Sequence, residues 1–273
     1  MIDLFFDWWQ YEFMRNAFFA VLLTMPLFSM LGTIVVNNGM AFFSDALGHS
    51  SLTGVGIGIL LGLTDYTPAM VIFAVVFALS MNRIRHSHIA STDTVIGVFS
   101  ACGVALGLVL LSRGGSFARY QNILIGDILS ITKNELILLA ITLAVFLVAW
   151  LLCFNYFYAI SISPSLAQSK GIRVKLFDNL FVAAVAVVVM LAIRWVGLLI
   201  VNSMLILPAA AARYFARSAR EYHLAALVFG LFSGMLGLWF SYRNAIATGP
   251  VIVIIAALLF FASFCLRQKN QTE

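Results

Sequence analysis

The chain is a succession of apolar runs, each close to the length of a membrane-crossing helix and joined to the next by a short linker. A bilayer core of ~30 Å is crossed by about 20 largely apolar residues, and lengths of roughly 17–25 serve. Runs of this kind fall at 16–36, 40–63, 67–82, 94–112, 134–158, 177–193, 195–212, 222–242 and 249–266. In lipid each backbone N–H and C=O must be bonded inside its own segment, so such runs fold as helices. The expectation is an all-α, polytopic helical bundle with nine transmembrane helices. Eight is the alternative, because 67–82 is short and only Arg194 separates the sixth run from the seventh. The residues are 63% hydrophobic and 10% charged, with a mean hydropathy of +1.04. Soluble domains hold about 25% charged residues, so no soluble domain is left to assign and residues 1–273 read as one transmembrane domain.

The net charge of +5 does not point to nucleic acid, because of where it lies. The basic loops are 83–92, 159–176 with Lys170, Arg173 and Lys175, and 213–221, followed by the tail after Arg267. With nine spans all of these share one side, which the positive-inside rule assigns to the cytoplasm, and the N-terminus falls outside. The loop 113–133, with Arg113, Arg119 and Lys133, runs against this assignment. The N-terminus is acidic (Asp3, Asp7, Glu12), so no cleaved signal peptide is expected. Cys102, Cys153 and Cys265 have neither disulfide nor zinc spacing and read as small buried apolar residues.

Asp45 and His49 stand out inside the second run. Ionisable groups at membrane depth cost roughly 2.5–3.5 kcal/mol each on insertion scales. On a helix, positions i and i+4 are neighbours, so Asp45, His49 and Thr53 form a polar stripe. A carboxylate and an imidazole so placed can reach one divalent ion, although zinc usually takes three or four ligands. Spacing alone leaves two readings open: a partial metal site, or a capping acid and a histidine hydrogen-bonded to a neighbouring helix. Ser50, Gly54, Gly58 and Gly62 make a second stripe, a small-residue ladder that lets another helix approach closely.

In the loop 161–180, Ser163 suits a helix cap, Pro164 the first helical position and Gly171 the stop. This predicts a two-turn amphipathic helix, either an ordinary loop element or a docking element for a cytoplasmic partner. Asn202, Ser203 and Pro208 mark a helix that Pro208 can kink or end. Asp93 is expected to cap a helix, Asp127 is an outer-side acid, and His86 and His88 read as solvated loop residues. There is no phosphate-binding G-x-x-x-x-G-K-[ST] loop, so this chain is not expected to be an enzyme that hydrolyses ATP by that mechanism.

The motif MAFFSDALGHSSLTGVGIG (40–58) resembles the second-span motif of bacterial and archaeal ABC permeases for zinc, manganese and iron. The likeness continues through TDTVIGV (92–98), LIGDILSIT (124–132), SISPSLAQSKGI (161–172), VGLLIVNSMLILPAAAARYFARS (196–218) and TGPVIVIIAALLF (248–260), in the family's order. It implies a multi-pass permease in the cytoplasmic (inner) membrane of a prokaryote. It further implies a homodimeric core, two cytoplasmic ATPase subunits and an extracytoplasmic metal-binding protein. The metal would be transported cargo, and no cofactor would be covalently bound. By this resemblance Asp45 and His49 are pathway ligands, and SPSLAQSKG, with Pro164, Ser165, Leu166, Ala167 and Gly171, is the cytoplasmic coupling helix that meets the ATPase. Gly48 before the histidine, and YRNAIATGP (242–250) without an acid before Gly249-Pro250, depart from the family pattern and bear on the choice of metal. A histidine with a carboxylate suits zinc, manganese or iron, and because imidazole favours zinc over magnesium or calcium, zinc is taken first, with manganese or iron as alternatives. An ion-coupled secondary transporter and a non-transporting membrane scaffold are the other classes considered.

Overall fold

Each of the nine apolar runs is occupied by a helix in the structure, a computed structural model that describes residues 7–87, 90–113 and 127–272. Helix α1 spans Glu12–Asn37, α2 Phe43–Leu60, α3 Thr67–Arg85, α4 Thr92–Arg113 and α5 Lys133–Ile162. The short α6 covers Pro164–Ser169, followed by α7 Val174–Val196, α8 Leu198–Ala212, α9 Ala219–Asn244 and α10 Thr248–Thr272. No strand occurs among the described residues. His88, Arg119 and residues 124–126 of the LIGDILSIT motif lie outside them.

Seven of these helices are long and apolar enough to cross a membrane. Besides the six-residue α6, those that fall short are α2, which is 18 residues long and carries Asp45 and His49, and α8, with 15 residues. At 1.5 Å per residue α8 reaches roughly 22 Å, less than the bilayer core.

The helix ends follow local chemistry. Thr132 and Glu135 make a reciprocal capping box at the start of α5: the Thr132 amide donates to the Glu135 carboxylate at 2.9 Å, and the Glu135 amide donates to the Thr132 hydroxyl at 3.4 Å. Ser91, not Asp93, caps α4, its hydroxyl accepting from the Thr94 amide at 3.2 Å. Asp93 falls inside the first turn, so its expected capping role is corrected.

The break between α7 and α8 lies at Gly197, not at Arg194. Gly197 has φ +86°, a conformation that a side chain disfavours and glycine adopts freely. Arg194 sits in the last turn of α7. The cysteines also depart from expectation: Cys102 and Cys265 are exposed and Cys153 is half-buried. A small apolar side chain facing lipid loses nothing there, so apolarity did not dictate burial.

The chain divides into two compact units, residues 1–36, 126–149 and 195–273 in one and 37–125 with 150–194 in the other. In the first unit, glycines bring α1, α8, α9 and α10 to backbone distance. A Cβ on Gly32 would fall 1.9 Å from the Leu205 carbonyl oxygen, and one on Gly237 would fall 2.8 Å from the Ile252 Cα. Ser29 adds a hydrogen bond from α1 to the Ala226 carbonyl of α9 at 3.1 Å.

In the second unit, α2 is held between α3 and α4. A Cβ on Gly107 of α4 would meet the Thr53 amide nitrogen at 2.9 Å. On the other side, Gly54 faces the Met70 Cα of α3, 2.6 Å from where its Cβ would stand. Small residues let helix backbones meet in this way where no hydrophobic effect drives them together.

Candidate functional site

Asp45 lies in the first turn of α2 and His49 one turn further on. The His49 Nε2 stands 3.6 Å from the Asp45 Oδ2, and the two side chains are 39% and 43% exposed. The preceding residue, Phe42, makes no side-chain cap, so Asp45 meets the helix start by its charge, which the N-terminal dipole favours. The pair is thus adjacent and accessible.

Thr53 does not extend the stripe. Its hydroxyl is buried and donates to the Gly103 carbonyl of α4 at 2.6 Å. A step of four residues turns a helix by more than one full revolution, so the third position of an i, i+4, i+8 series drifts round toward the neighbour. Among the described residues no third histidine, cysteine or carboxylate joins Asp45 and His49. Ser44 and Ser51 bury their hydroxyls on the same helix without a hydrogen-bond partner.

The expected glycine ladder separates into two roles. Gly54 and Gly58 face α3 and its leading residue Tyr66, with Tyr66 Cδ1 at 2.9 Å from the Gly58 Cβ position. Gly62 lies beyond the helix end at φ +67° with open space around it. The Leu63 amide donates to the Gly58 carbonyl and the Gly62 amide to that of Ile59, both at 3.0 Å. That is the bonding of a helix stop in which glycine takes the left-handed position. Gly62 therefore ends α2 and does not pack it, a correction that follows from helix length.

The segment after α5 forms as its residues predict, though shorter. Ser163 accepts from the Leu166 amide at 3.3 Å, and Pro164 opens a helix of six residues. Gly171, at φ +78°, closes it: the Ile172 amide donates to the Ala167 carbonyl and the Gly171 amide to that of Gln168. Ala167 is buried, whereas Ser165 and Leu166 are exposed. A cleft of about 1410 Å³ opens beside this helix, lined among others by Asn38, Arg85, Ser161, Arg173, Lys175 and Asp178.

Sequence reasoning passed over the most connected polar group in this unit. The Asp178 side chain of α7 is 6% exposed, and its Oδ2 takes the Arg85 guanidinium at 2.9 Å and the His86 ring at 2.6 Å. The Asn82 amide donates to the same oxygen at 2.8 Å. Asn82, Arg85 and His86 share the end of α3 at i, i+3 and i+4, so one face presents all three. His86 is therefore a hydrogen-bond partner of Asp178 and not merely a solvated loop residue. A carboxylate inside the apolar start of α7 was the available signal.

At another edge of this unit, Arg194 donates to Asp65 Oδ1 at 2.7 Å and also contacts the Thr67 hydroxyl. Partial burial works against Asp65 ionisation, yet hydrogen bonds from Thr67 and the Arg194 charge outweigh it and hold the carboxyl below its ordinary range. Asp127 caps the short turn Ile128–Ser130, accepting from the Leu129 amide at 3.0 Å. Pro208 lies inside α8 without ending it.

Comparison with known proteins extends over this whole frame. The family model described as the ABC 3 transport family matches residues 10–267. The chain is 33% identical over 261 residues to the high-affinity zinc uptake system membrane protein ZnuB of Haemophilus influenzae, covering 94% of this chain and 100% of that one. It is 30% identical over 263 residues to the manganese import system permease protein ScaB of Streptococcus parasanguinis, covering 96% and 93%. Among solved structures, PsaBC from Streptococcus pneumoniae in complex with Fab superposes with a TM-score of 0.84 at 29% identity, covering 97% of this chain and 95% of that one. The chain is a multi-pass membrane protein and belongs to the ABC 3 transport family of transporter permeases.

Proposed function

We propose that this protein is the membrane-spanning permease subunit of an ATP-driven importer of divalent metal ions, zinc or manganese, across the cytoplasmic membrane. The observation that carries the reading is the Asp45/His49 pair, 3.6 Å apart and accessible near the start of α2. The names of the zinc and manganese relatives support the class of cargo. Two protein ligands suit a transit site, because a permeating ion must bind well enough to enter and weakly enough to leave. Water or groups from elsewhere in the assembly complete the shell.

In this reading residues 1–273 act as one permease domain, α2 and α8 join the seven longer helices as spans, and the chain works as a homodimer. The α6 segment is the coupling helix, presenting Ser165 and Leu166 to a separate ATPase, while an extracytoplasmic protein delivers the metal. The absence of a phosphate-binding loop in the sequence supports a separate ATPase.

The test is uptake of radioactive zinc and manganese by cells or proteoliposomes carrying the assembled transporter, with Asp45→Ala and His49→Ala compared at equal expression. Uptake at the unsubstituted level in both variants would sink the pathway role. Growth of a deletion strain under zinc limitation and under manganese limitation decides the cargo.

A further inference from the structure

The turns flanking α6 are bound into one body. Tyr156 of α5 stacks on Phe177 of α7 with ring centroids 4.5 Å apart and planes inclined by 12°, and Phe157 packs on Phe181 at 5.5 Å. Any displacement of α6 is therefore shared by the end of α5 and the start of α7.

Among the described residues polar ties leave this body from Asp178, from its neighbour Asn179, whose Oδ1 accepts from the Asn82 amide at 2.8 Å, and from Ser161. Asp178, on the second turn of α7, grips the end of α3 through Asn82, Arg85 and His86. Ser161, on the last turn of α5, donates to Asn38 Oδ1 at 2.6 Å, in the turn that leads into α2. Helix α3 in turn meets α2 at backbone distance, where Gly54 faces the Met70 Cα. The Met70 Cα, Cβ and Cγ all lie within 3.2 Å of where a Gly54 Cβ would stand, so the two helices are in direct contact there. Close-packed interiors transmit strain in such circumstances.

We propose that Asp178 is a positioning residue for energy coupling, the latch by which movement of the α6 segment is carried to α3 and from there to α2 with its Asp45/His49 pair. This rests on the permease reading given above. Three donors converging on one buried carboxylate oxygen fix α7 against α3 in one register. The Ser161–Asn38 bond is a parallel tie to the turn that leads into α2.

Two measurements test it. In proteoliposomes with the assembled transporter, metal uptake and ATP hydrolysis are recorded together for Asp178→Asn and for the charge-retaining Asp178→Glu. Uptake per ATP is expected to fall by about fivefold or more in Asp178→Asn, the lower end of typical coupling energies, and to recover at least in part in Asp178→Glu. Equal proportional loss of uptake and hydrolysis, or an unchanged ratio, overturns the proposal.

The second measurement does not depend on transport. Spin labels are placed at the exposed Ser87 and Ser169 of the full chain in lipid nanodiscs, with Cys102, Cys153 and Cys265 replaced by Ala. The distance distribution is expected to be narrow, and to broaden or shift in Asp178→Asn. A distribution that Asp178→Asn leaves unaltered overturns the latch. If the unsubstituted transporter moves no metal, the permease reading fails, while the distance result still decides the latch.

Discussion

The His86 ring and the Asp178 carboxylate lie 2.6 Å apart across 92 residues of sequence, with the Arg85 guanidinium on the same oxygen at 2.9 Å. Burial makes this cluster all-or-none. Asp178 and Arg85 are 6% and 12% exposed, so either charge left alone would lack both its partner and bulk water. Breaking a buried pair from one side typically costs about 3–5 kcal/mol. Asp178→Ala is expected to destabilise the protein by about that amount, read as a lowered unfolding midpoint in mixed micelles. Substituting the half-exposed His86 by Gln should cost clearly less.

Asp45 and His49 should behave in the opposite way. Both are substantially exposed and neither is a packing residue, so Asp45→Asn and His49→Ala are expected to leave thermal unfolding close to that of the unsubstituted protein. Outer-shell changes alone cost roughly 10–100-fold in metal affinity, so if the pair binds the permeating ion as proposed, either substitution should lower uptake by at least about tenfold. A large loss of stability with unchanged uptake per folded molecule would refute the assignment.

Glycines in these helices are not equivalent. Gly32→Ala would force its Cβ onto the Leu205 carbonyl and push two helix backbones apart, a distortion worth roughly 1–3 kcal/mol or more. Gly97, on α4, has nothing within 4 Å of its Cβ position. Gly97→Ala should therefore be neutral or stabilise by up to about 1 kcal/mol through helix propensity. Parallel unfolding curves of the two variants check the contrast.

Ala245 ends α9 with φ +51°. A left-handed conformation costs an L-residue roughly 1–2 kcal/mol, and glycine escapes that cost while losing about 0.5–1 kcal/mol in backbone entropy. Ala245→Gly is expected to raise stability slightly, by no more than about 1 kcal/mol. A lowered unfolding midpoint would contradict this.

Asp65 gives a pH dependence of known sign. Its folded-state pKa is depressed, so its contribution is full above the ordinary carboxylate pKa and is lost as pH falls through the lowered value. Arg194 stays charged throughout. The difference in unfolding midpoint between the unsubstituted protein and Asp65→Asn should therefore be present at neutral pH and shrink on strong acidification. A difference that grew toward low pH would show that the Asp65 carboxyl is not held below its ordinary range by Thr67 and Arg194.

Much of this protein was legible in its residues because helices are local. Each apolar run marked the place of a helix, seven of them long enough to span, since i to i+4 bonding is internal to each segment. Ser163, Pro164 and Gly171 marked the ends of α6 because capping uses atoms a few residues apart. Tertiary structure decided what depends on distant partners. It turned Thr53 into α4, where its hydroxyl meets the Gly103 carbonyl, whereas the stops at Gly62 and Gly197 are local features that the apolar runs alone did not reveal. It also joined Asp178 to the end of α3, a relationship that no local pattern encodes because the groups meet only when α3 and α7 pack. The sequence by itself thus determined which segments become helices and which acid and histidine share a turn, while only packing decided which polar groups are buried against a neighbouring helix and which stay accessible.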